Sequence, residues 1–193
     1  MRFSPRVGRI SSGSGHGSRG PEINGSRDRE LSSIRPIHPG DADAVAALIR
    51  LAFAATPVPL DPAPSALRET GDSIRAHLAD GGGALVEGPG ACILWSQRDG
   101  GLYVGRLATH PAYRGHGLGG LLMAAAEAEA RRRGLPRLHL GVRLALPGNR
   151  RLFARLGFTE TRLRTHDGYP APTWTEAERW LTAPPTGTGT PQR

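Results

Sequence analysis

The sequence Tyr113-Arg114-Gly115-His116-Gly117-Leu118-Gly119-Gly120 joins a segment typical of a β-strand to one typical of an α-helix. Upstream, residues 102–109 are rich in apolar and β-branched side chains over the length of one strand. Downstream, Leu118, Leu121, Leu122 and Ala125 recur at helical spacing. Glycine lets backbone N–H groups approach a ligand closely, and a helix N-terminus adds unpaired donors and a partial positive charge. The turn is therefore expected to bind an anion such as a phosphate group.

Three kinds of phosphate-binding turn compete for this sequence. A Rossmann dinucleotide site requires an acidic residue about 20 positions on, and the next predicted strand, residues 137–143, contains none. A P-loop requires Gly-Lys-Ser/Thr, and the chain has no lysine. The third kind is the acetyl-CoA turn Arg/Gln-x-x-Gly-x-Gly/Ala, which Arg114, Gly117 and Gly119 match.

Two motifs together resemble the GNAT superfamily, the Gcn5-related N-acetyltransferases. The first is the turn with its lead-in Leu107, Ala108 and Pro111, and the second is residues 147–158, which end in Leu-Gly-Phe. In the second motif Asn149 is the expected N-cap, and Gly157 is expected to end the helix in the left-handed conformation. A generic α/β domain with a chance glycine turn is the competing interpretation.

The resemblance implies an α/β fold, the GNAT acyl-CoA N-acyltransferase fold, with a mixed central sheet and flanking helices. The pattern along the chain agrees, because it predicts the order β-α-α-β-β-β-α-β-α-β-β. Asp41 is expected to cap the first helix, whose predicted buried face is Val45, Leu48, Ile49, Ala52 and Phe53. A weaker helix is predicted over residues 65–78. The seven predicted strands are residues 33–36, 84–87, 91–97, 102–109, 137–143, 159–164 and 173–180.

The two ends of the chain differ from its middle in composition. Residues 1–31 are rich in Ser, Gly and Arg, and residues 183–193 are rich in Pro, Gly and Thr. Segments of this kind bury too little apolar surface to offset their ordering entropy, so both are predicted to be disordered tails. The N-acetyltransferase domain is predicted over residues 32–182, and an over-extended start site would also explain the first tail.

The charge of the chain is +8 and its isoelectric point is about 11.2. Every basic side chain is arginine, which a GC-rich coding sequence produces, so the charge is weak support for nucleic-acid binding. The single cysteine, Cys92, lies in an apolar run and is expected to be a buried strand residue in a cytoplasmic protein. Neither a signal peptide nor a membrane-spanning segment is expected, because the arginine-containing N-terminal segment has no apolar h-region and no apolar stretch reaches the length of a transmembrane helix.

The resemblance also implies residues that bind the acetyl-CoA co-substrate. Backbone N–H groups of the turn would bind the pyrophosphate, and the end of the preceding strand would pair with the pantetheine arm where that strand splays from residues 138–142. An N–H near Thr109 would stabilise the tetrahedral oxyanion. The implied cofactor-binding residues are Leu107, Ala108, Thr109, Arg114, Gly115, His116, Gly117, Leu118, Gly119, Gly120, Asn149 and Phe153.

The sequence departs from the family at the catalytic positions. Many members have a tyrosine as general acid where this chain has Phe153, and a glutamate as general base near the strand that here carries Arg106. Tyr169 is the favoured substitute acid, with packing in its loop as the alternative. The candidate bases are His139, His166 and Asp167, acting directly or through water, and a structural or exposed role is the alternative for each histidine. No Cys/His cluster has metal-ligand spacing, so no metal is expected.

These features predict an enzyme that transfers an acetyl group from acetyl-CoA to a primary amine of a small molecule or protein. A non-catalytic acyl-CoA-binding or regulatory module is the alternative, which Phe153 and the absent glutamate support. A nucleic-acid-associated protein that uses its arginine-rich tail is a third class. Small amines, antibiotics, amino acids and protein N-termini are all compatible acceptors, and a homodimer is compatible with the sequence.

Overall fold

The computed structural model describes residues 33–86, 88 and 90–182, so both predicted tails lie outside the described residues. The described residues form four α-helices, α1 to α4, which are Ala42–Ala54, Gly71–Asp80, Leu118–Arg132 and Pro147–Arg155. They also form seven strands, β1 to β7, which are Ile34–Pro36, Gly82–Val86, Ala91–Arg98, Gly101–Thr109, Arg137–Arg143, Thr159–Arg164 and Trp174–Trp180. The predicted order of helices and strands is confirmed.

The strands form one mixed sheet in the order β1-β2-β3-β4-β5-β7-β6. All neighbouring strands are antiparallel except β4 and β5, which are parallel. This pair is parallel because α3 carries the chain back across the sheet between them. Helices flank both faces, and the predicted α/β class with a mixed central sheet is confirmed.

Each face of the sheet is covered by a different helix. Leu122, Met123 and Ala126 of α3 pack against one face, in a core that also contains the inward side chains of β4 and β5. On the other face, α1 buries Val45, Leu48, Ile49 and Ala52 against β3, β4 and α2, while Phe53 is partly buried. Cys92 is fully buried in β3, and burial raises the pKa of its thiol to about 12, as expected for a structural cysteine.

The parallel strands β4 and β5 separate soon after they begin. They pair only at Leu102 with Leu138 and at Tyr103 with His139. Just beyond, β4 carries a bulge opposite β3, and Arg106 within it has a φ of 50°. Because a bulge bends its strand away from its neighbour, the rest of β4 diverges from β5. The splay that the resemblance implies is confirmed.

Three local predictions were wrong in detail. The predicted helix over residues 65–78 is a 3-10 turn, Ser65–Arg68, followed by α2, because Thr70 starts a new helix through a reciprocal pair of hydrogen bonds with Ser73. Asp41 precedes α1, but its carboxylate accepts hydrogen bonds from Arg35 and from the His38 N–H. Asn149 is the third residue of α4, because the helix already begins at Pro147.

The other end of α4 agrees with prediction. Gly157 has a φ of 84°, and the Phe158 N–H donates to the Phe153 carbonyl at 3.0 Å, which closes the helix in a Schellman motif. Among the described residues, no helix has both the length and the apolar character needed to span a membrane.

Candidate active site

A cleft of about 820 Å³ opens where β4 and β5 separate. Its walls are the C-terminal end of α1 with the loop after it, the end of β4, the glycine turn leading into α3, and the start of α4. Nearly all the predicted cofactor-binding residues line it: Leu107, Ala108, Thr109, Arg114, Gly115, Gly117, Leu118, Gly119, Gly120, Asn149 and Phe153. His116 is exposed and lies outside this lining.

The glycine turn presents a row of unused backbone donors at the start of α3. Within the described part of the chain, the N–H groups of residues 115–119 have no hydrogen-bond acceptor. Gly115 and Gly117 have φ values of 84° and 77°, which only glycine adopts readily. A Cβ added at Gly117 would meet no atom within 4 Å. Unpaired N–H groups beside open space at a helix N-terminus are suited to a phosphate group.

Arg114 has a structural use in addition to its place in the motif. Its guanidinium donates to the carbonyl oxygens of Ala52 at 2.8 Å and Ala55 at 2.9 Å. Ala52 lies in the last turn of α1 and Ala55 directly follows the helix, where no helical N–H is left to bind these carbonyls. Arg114 therefore joins the end of α1 to the glycine turn, and it fixes two walls of the cleft relative to each other.

The strand end and α4 complete the cleft. Beyond Tyr103, β4 pairs with no described residue on its β5 side, so this edge of the strand is open toward the slot. The Asn149 side chain is exposed and has no hydrogen-bond partner among the described residues. Phe153 packs edge-on against Phe158, with their ring centroids 5.9 Å apart. Apolar and amide groups of this kind can hold an extended amide-containing chain such as pantetheine.

His139 lies at the closed end of the slot and does not line the cleft. Its ring packs against Tyr103 with centroids 5.4 Å apart, and one ring nitrogen is 3.1 Å from the Arg98 carbonyl oxygen. Burial lowers the pKa of His139, and the hydrogen bond to Arg98 only partly opposes this effect. These contacts are those of a packed, neutral histidine, and its catalytic role stays a prediction.

His166 and Tyr169 are also outside the cleft lining, in the loop between β6 and β7. The Arg143 guanidinium donates to His166 Nε2 at 2.8 Å, and His166 Nδ1 contacts the Thr173 hydroxyl. Burial and the charge of Arg143 lower the pKa of His166. Tyr169 donates its phenolic hydrogen to the Asp61 carboxylate, which raises the pKa of Tyr169. Their catalytic roles stay predictions.

Sequence reasoning missed the residues that surround these two side chains. We call Asp61, Pro62, Arg143, His166 and Tyr169 the Arg143 cluster. It joins the loop after α1, the last residue of β5 and the β6–β7 loop. The one signal in the sequence is that Arg143 ends a predicted strand next to the predicted splay.

A second missed pair lies at the bulge of β4. Arg106 Nε donates to Glu69 Oε1 at 2.7 Å, and the Glu69 side chain is only 14% exposed. Burial acts to raise the pKa of Glu69, but hydrogen bonds from Ser73 and Arg106 and the charge of Arg106 together outweigh it and lower the pKa. Glu69 is thus a mostly buried carboxylate beside the bulge of β4, and it is already ion-paired with Arg106.

The comparisons with known proteins agree with this geometry. The family model described as Acetyltransferase (GNAT) family matches residues 46–158, more than half of the chain. Among curated protein sequences, none matches.

Several solved structures share the fold. The ribosomal-protein-S18-alanine N-acetyltransferase of Escherichia coli is 18% identical, with a TM-score of 0.61 over 82% of this chain and 99% of that one. The PaiA N-acetyltransferase of Thermoplasma acidophilum, solved with coenzyme A, is 16% identical, with a TM-score of 0.59 over 77% and 99%. A GNAT family acetyltransferase of Elizabethkingia anophelis, solved with acetyl-CoA bound, is 18% identical, with a TM-score of 0.53 over 77% and 97%.

Proposed function

The chain belongs to the GNAT acetyltransferase family, and from that membership we propose that it transfers an acetyl group from acetyl-CoA to a primary amine by direct attack. The observation that carries this proposal is the row of unpaired N–H groups at residues 115–119, beside a cleft that continues into the slot between β4 and β5. A diphosphate with a long amide-containing arm fits both features. The single buried cysteine supports a cytoplasmic location.

The reaction requires the amine nitrogen to bond to the thioester carbon while the carbon–sulfur bond breaks. In this proposal an N–H of the unpaired end of β4, near Thr109, donates to the thioester oxygen as it becomes an oxyanion. The incoming ammonium must first lose a proton. Since His139 and His166 are both occupied by other contacts, water reached from the cleft is the acceptor that the geometry favours.

The leaving group is the CoA thiolate. A thiol of this type has a pKa of about 8.5, so its thiolate can leave without a proton donor. Tyr169 directs its phenolic hydrogen at Asp61, and Phe153 has no hydrogen to give. Release of the free thiolate, followed by protonation from solvent, is therefore better supported than protonation by Tyr169.

The non-catalytic acyl-CoA-binding module remains the second candidate, because the cleft lining includes Phe153 where many members have tyrosine. Two measurements on the full chain separate the candidates. Acetyl-CoA is expected to raise the melting temperature, since a ligand that binds only the folded state stabilises it. Thiol release from acetyl-CoA should then depend on added amine.

The outcomes are distinct. A melting temperature that does not change at saturating acetyl-CoA would overturn both candidates. Stabilisation without amine-dependent thiol release, across primary amines and peptide N-termini, would leave the binding module. NAD, which also carries a diphosphate but lacks the pantetheine arm, is the matched control and should stabilise the protein less.

A further inference from the structure

The Arg143 cluster borders the cleft from the face of the sheet opposite α3. Leu138, Leu140 and Val142 of β5 face the α3 side of the core, so Arg143 faces the other side, since side chains alternate along a strand. Arg143 lies two residues before Ala145, and Asp61 lies three residues after Val58. Ala145 and Val58 both line the cleft.

Arg143 is a partly buried cation whose hydrogen-bond partners are neutral. Its guanidinium donates to the Pro62 carbonyl oxygen at 2.5 Å and to His166 Nε2 at 2.8 Å. Among the described residues, no carboxylate oxygen lies within 4.0 Å of it, whereas Arg137 on the same strand is paired with Glu178. A guanidinium has five N–H donors, so most of its donor capacity is unused.

Asp61 supplies the opposite charge beside it. One carboxylate oxygen accepts the Tyr169 hydroxyl, and the other has no partner among the described residues. Asp61 is exposed, and it interacts electrostatically with Arg143 without forming an ion pair. Arg143 and Asp61 are therefore opposite charges that lie close together at the border of the cleft. Each forms hydrogen bonds to neutral groups, and each keeps hydrogen-bonding positions that these contacts do not use.

We propose that Arg143 and Asp61 select an acceptor that carries a carboxylate close to its amine, as a free amino acid does. Arg143 binds the acceptor carboxylate, because its planar fork matches two carboxylate oxygens. Asp61 attracts the ammonium group and guides it toward the slot between β4 and β5. This inference rests on the proposed acetyl transfer and names the class of its acceptor.

The test uses the full-length protein and two matched sets of probes. One set contains L-amino acids, and the other contains their methyl esters, which keep the amine and lose the carboxylate charge. Acetyl-CoA-dependent thiol release gives kcat/KM for each probe. Amino acids should be better acceptors than their esters.

Arg143→Met should lower kcat/KM for the amino acids by about 10- to 100-fold, the effect of losing a charge-assisted hydrogen-bonded contact. The same substitution should change kcat/KM for the esters by less than about threefold. Arg162→Met removes an exposed arginine from β6 and should leave both sets unchanged. Arg143→Lys keeps the positive charge but loses the planar guanidinium, so it should give an intermediate loss of kcat/KM for the amino acids. This variant keeps the test decisive if the methionine variant does not fold.

Three results would overturn the inference while leaving acetyl transfer intact. These are equal turnover of acids and esters, equal losses of both in Arg143→Met, or turnover of simple amines and no amino acid by a protein that binds acetyl-CoA. Failure of acetyl-CoA to stabilise the protein would instead reject the proposed function itself.

Discussion

At the scale of single residues, Gly119 offers the most direct probe of the phosphate site. It lies in the first turn of α3, it is not among the glycines with positive φ, and an added Cβ would approach only Leu107 Cδ2, at 3.8 Å. Gly119→Glu should therefore fold, since a carboxylate near a helix N-terminus is favourable. It should weaken acetyl-CoA binding by about 100-fold or more, because like charges in one site cost several kcal/mol.

Gly119→Ala is the matched control for backbone effects in this experiment. It adds one carbon in the same place without charge, and it should keep affinity within about fivefold in calorimetry. Full affinity in the glutamate variant, with an unchanged circular dichroism spectrum, would mean that the phosphates bind elsewhere.

The proton donor is also a question about single residues. Because Tyr169 donates to Asp61 and lies outside the cleft lining, Tyr169→Phe should lower the single-turnover rate by less than about tenfold. Phe153→Tyr should raise that rate, because position 153 lines the cleft and the new phenol can protonate the thiolate. A loss of about 10²–10⁴-fold in Tyr169→Phe, at unchanged acetyl-CoA affinity, would instead make Tyr169 the general acid that the sequence predicts.

At the scale of elements, the start of α2 at Thr70 predicts the sign of a stability change. Thr70 Oγ1 accepts the Ser73 N–H at 3.1 Å, and Ser73 Oγ accepts the Thr70 N–H at 2.9 Å. Thr70→Ala removes this cap and should destabilise the protein by about 1 kcal/mol in urea unfolding. A single helix over residues 65–78 would give the opposite result, since alanine is the better residue in a helix interior.

Elements with local signals were predictable from the sequence. Helix α1 follows from its apolar period, and the end of α4 follows from Gly157, because both signals lie within a few neighbouring residues. The bulge at Arg106 has no such signal, since its ion pair joins residues 37 positions apart. Asn149 was expected to be the cap because asparagine is a favoured N-cap residue, while Pro147 is the residue that starts the helix.

The candidate site also has one part that the sequence predicts and one part that it does not. The glycine turn could be predicted because the phosphate-binding donors belong to consecutive residues. The Arg143 cluster could not, because its contacts join residues 81 and 108 positions apart. Such contacts depend on how the splayed sheet brings three loops together, and neither periodicity nor composition reports this.

At the scale of the whole molecule, arginine side chains form ion pairs with carboxylates at several places in the fold. Asp41 binds Arg35 beside β1, and Glu129 binds Arg132 and Arg133 at the end of α3. Hydrogen bonds from Arg35 and the His38 N–H lower the pKa of Asp41 to about 2, against a smaller opposing effect of burial. Hydrogen bonds from Arg132 and Arg133 lower the pKa of Glu129 to about 2 as well.

These depressed pKa values predict how the free energy of unfolding depends on acid. Because each carboxyl has a lower pKa in the folded than in the unfolded chain, its contribution is complete above the unfolded pKa of about 4. The contribution is lost as the pH falls toward about 2, where the carboxyls are protonated in both states. Rising net charge on a chain that is already +8 at neutral pH adds self-repulsion over the same range.

The double variant Asp41→Asn with Glu129→Gln removes both carboxyls and with them their contribution to the pH dependence of the free energy of unfolding. Its melting temperature should lie below that of the parent at pH 6 and should fall less steeply between pH 5 and pH 2.5, so that the two curves converge. The difference should shrink in 1 M salt, which screens partly exposed ion pairs. Parallel curves over the whole range would show that these two carboxyls contribute nothing pH-dependent to the free energy of unfolding.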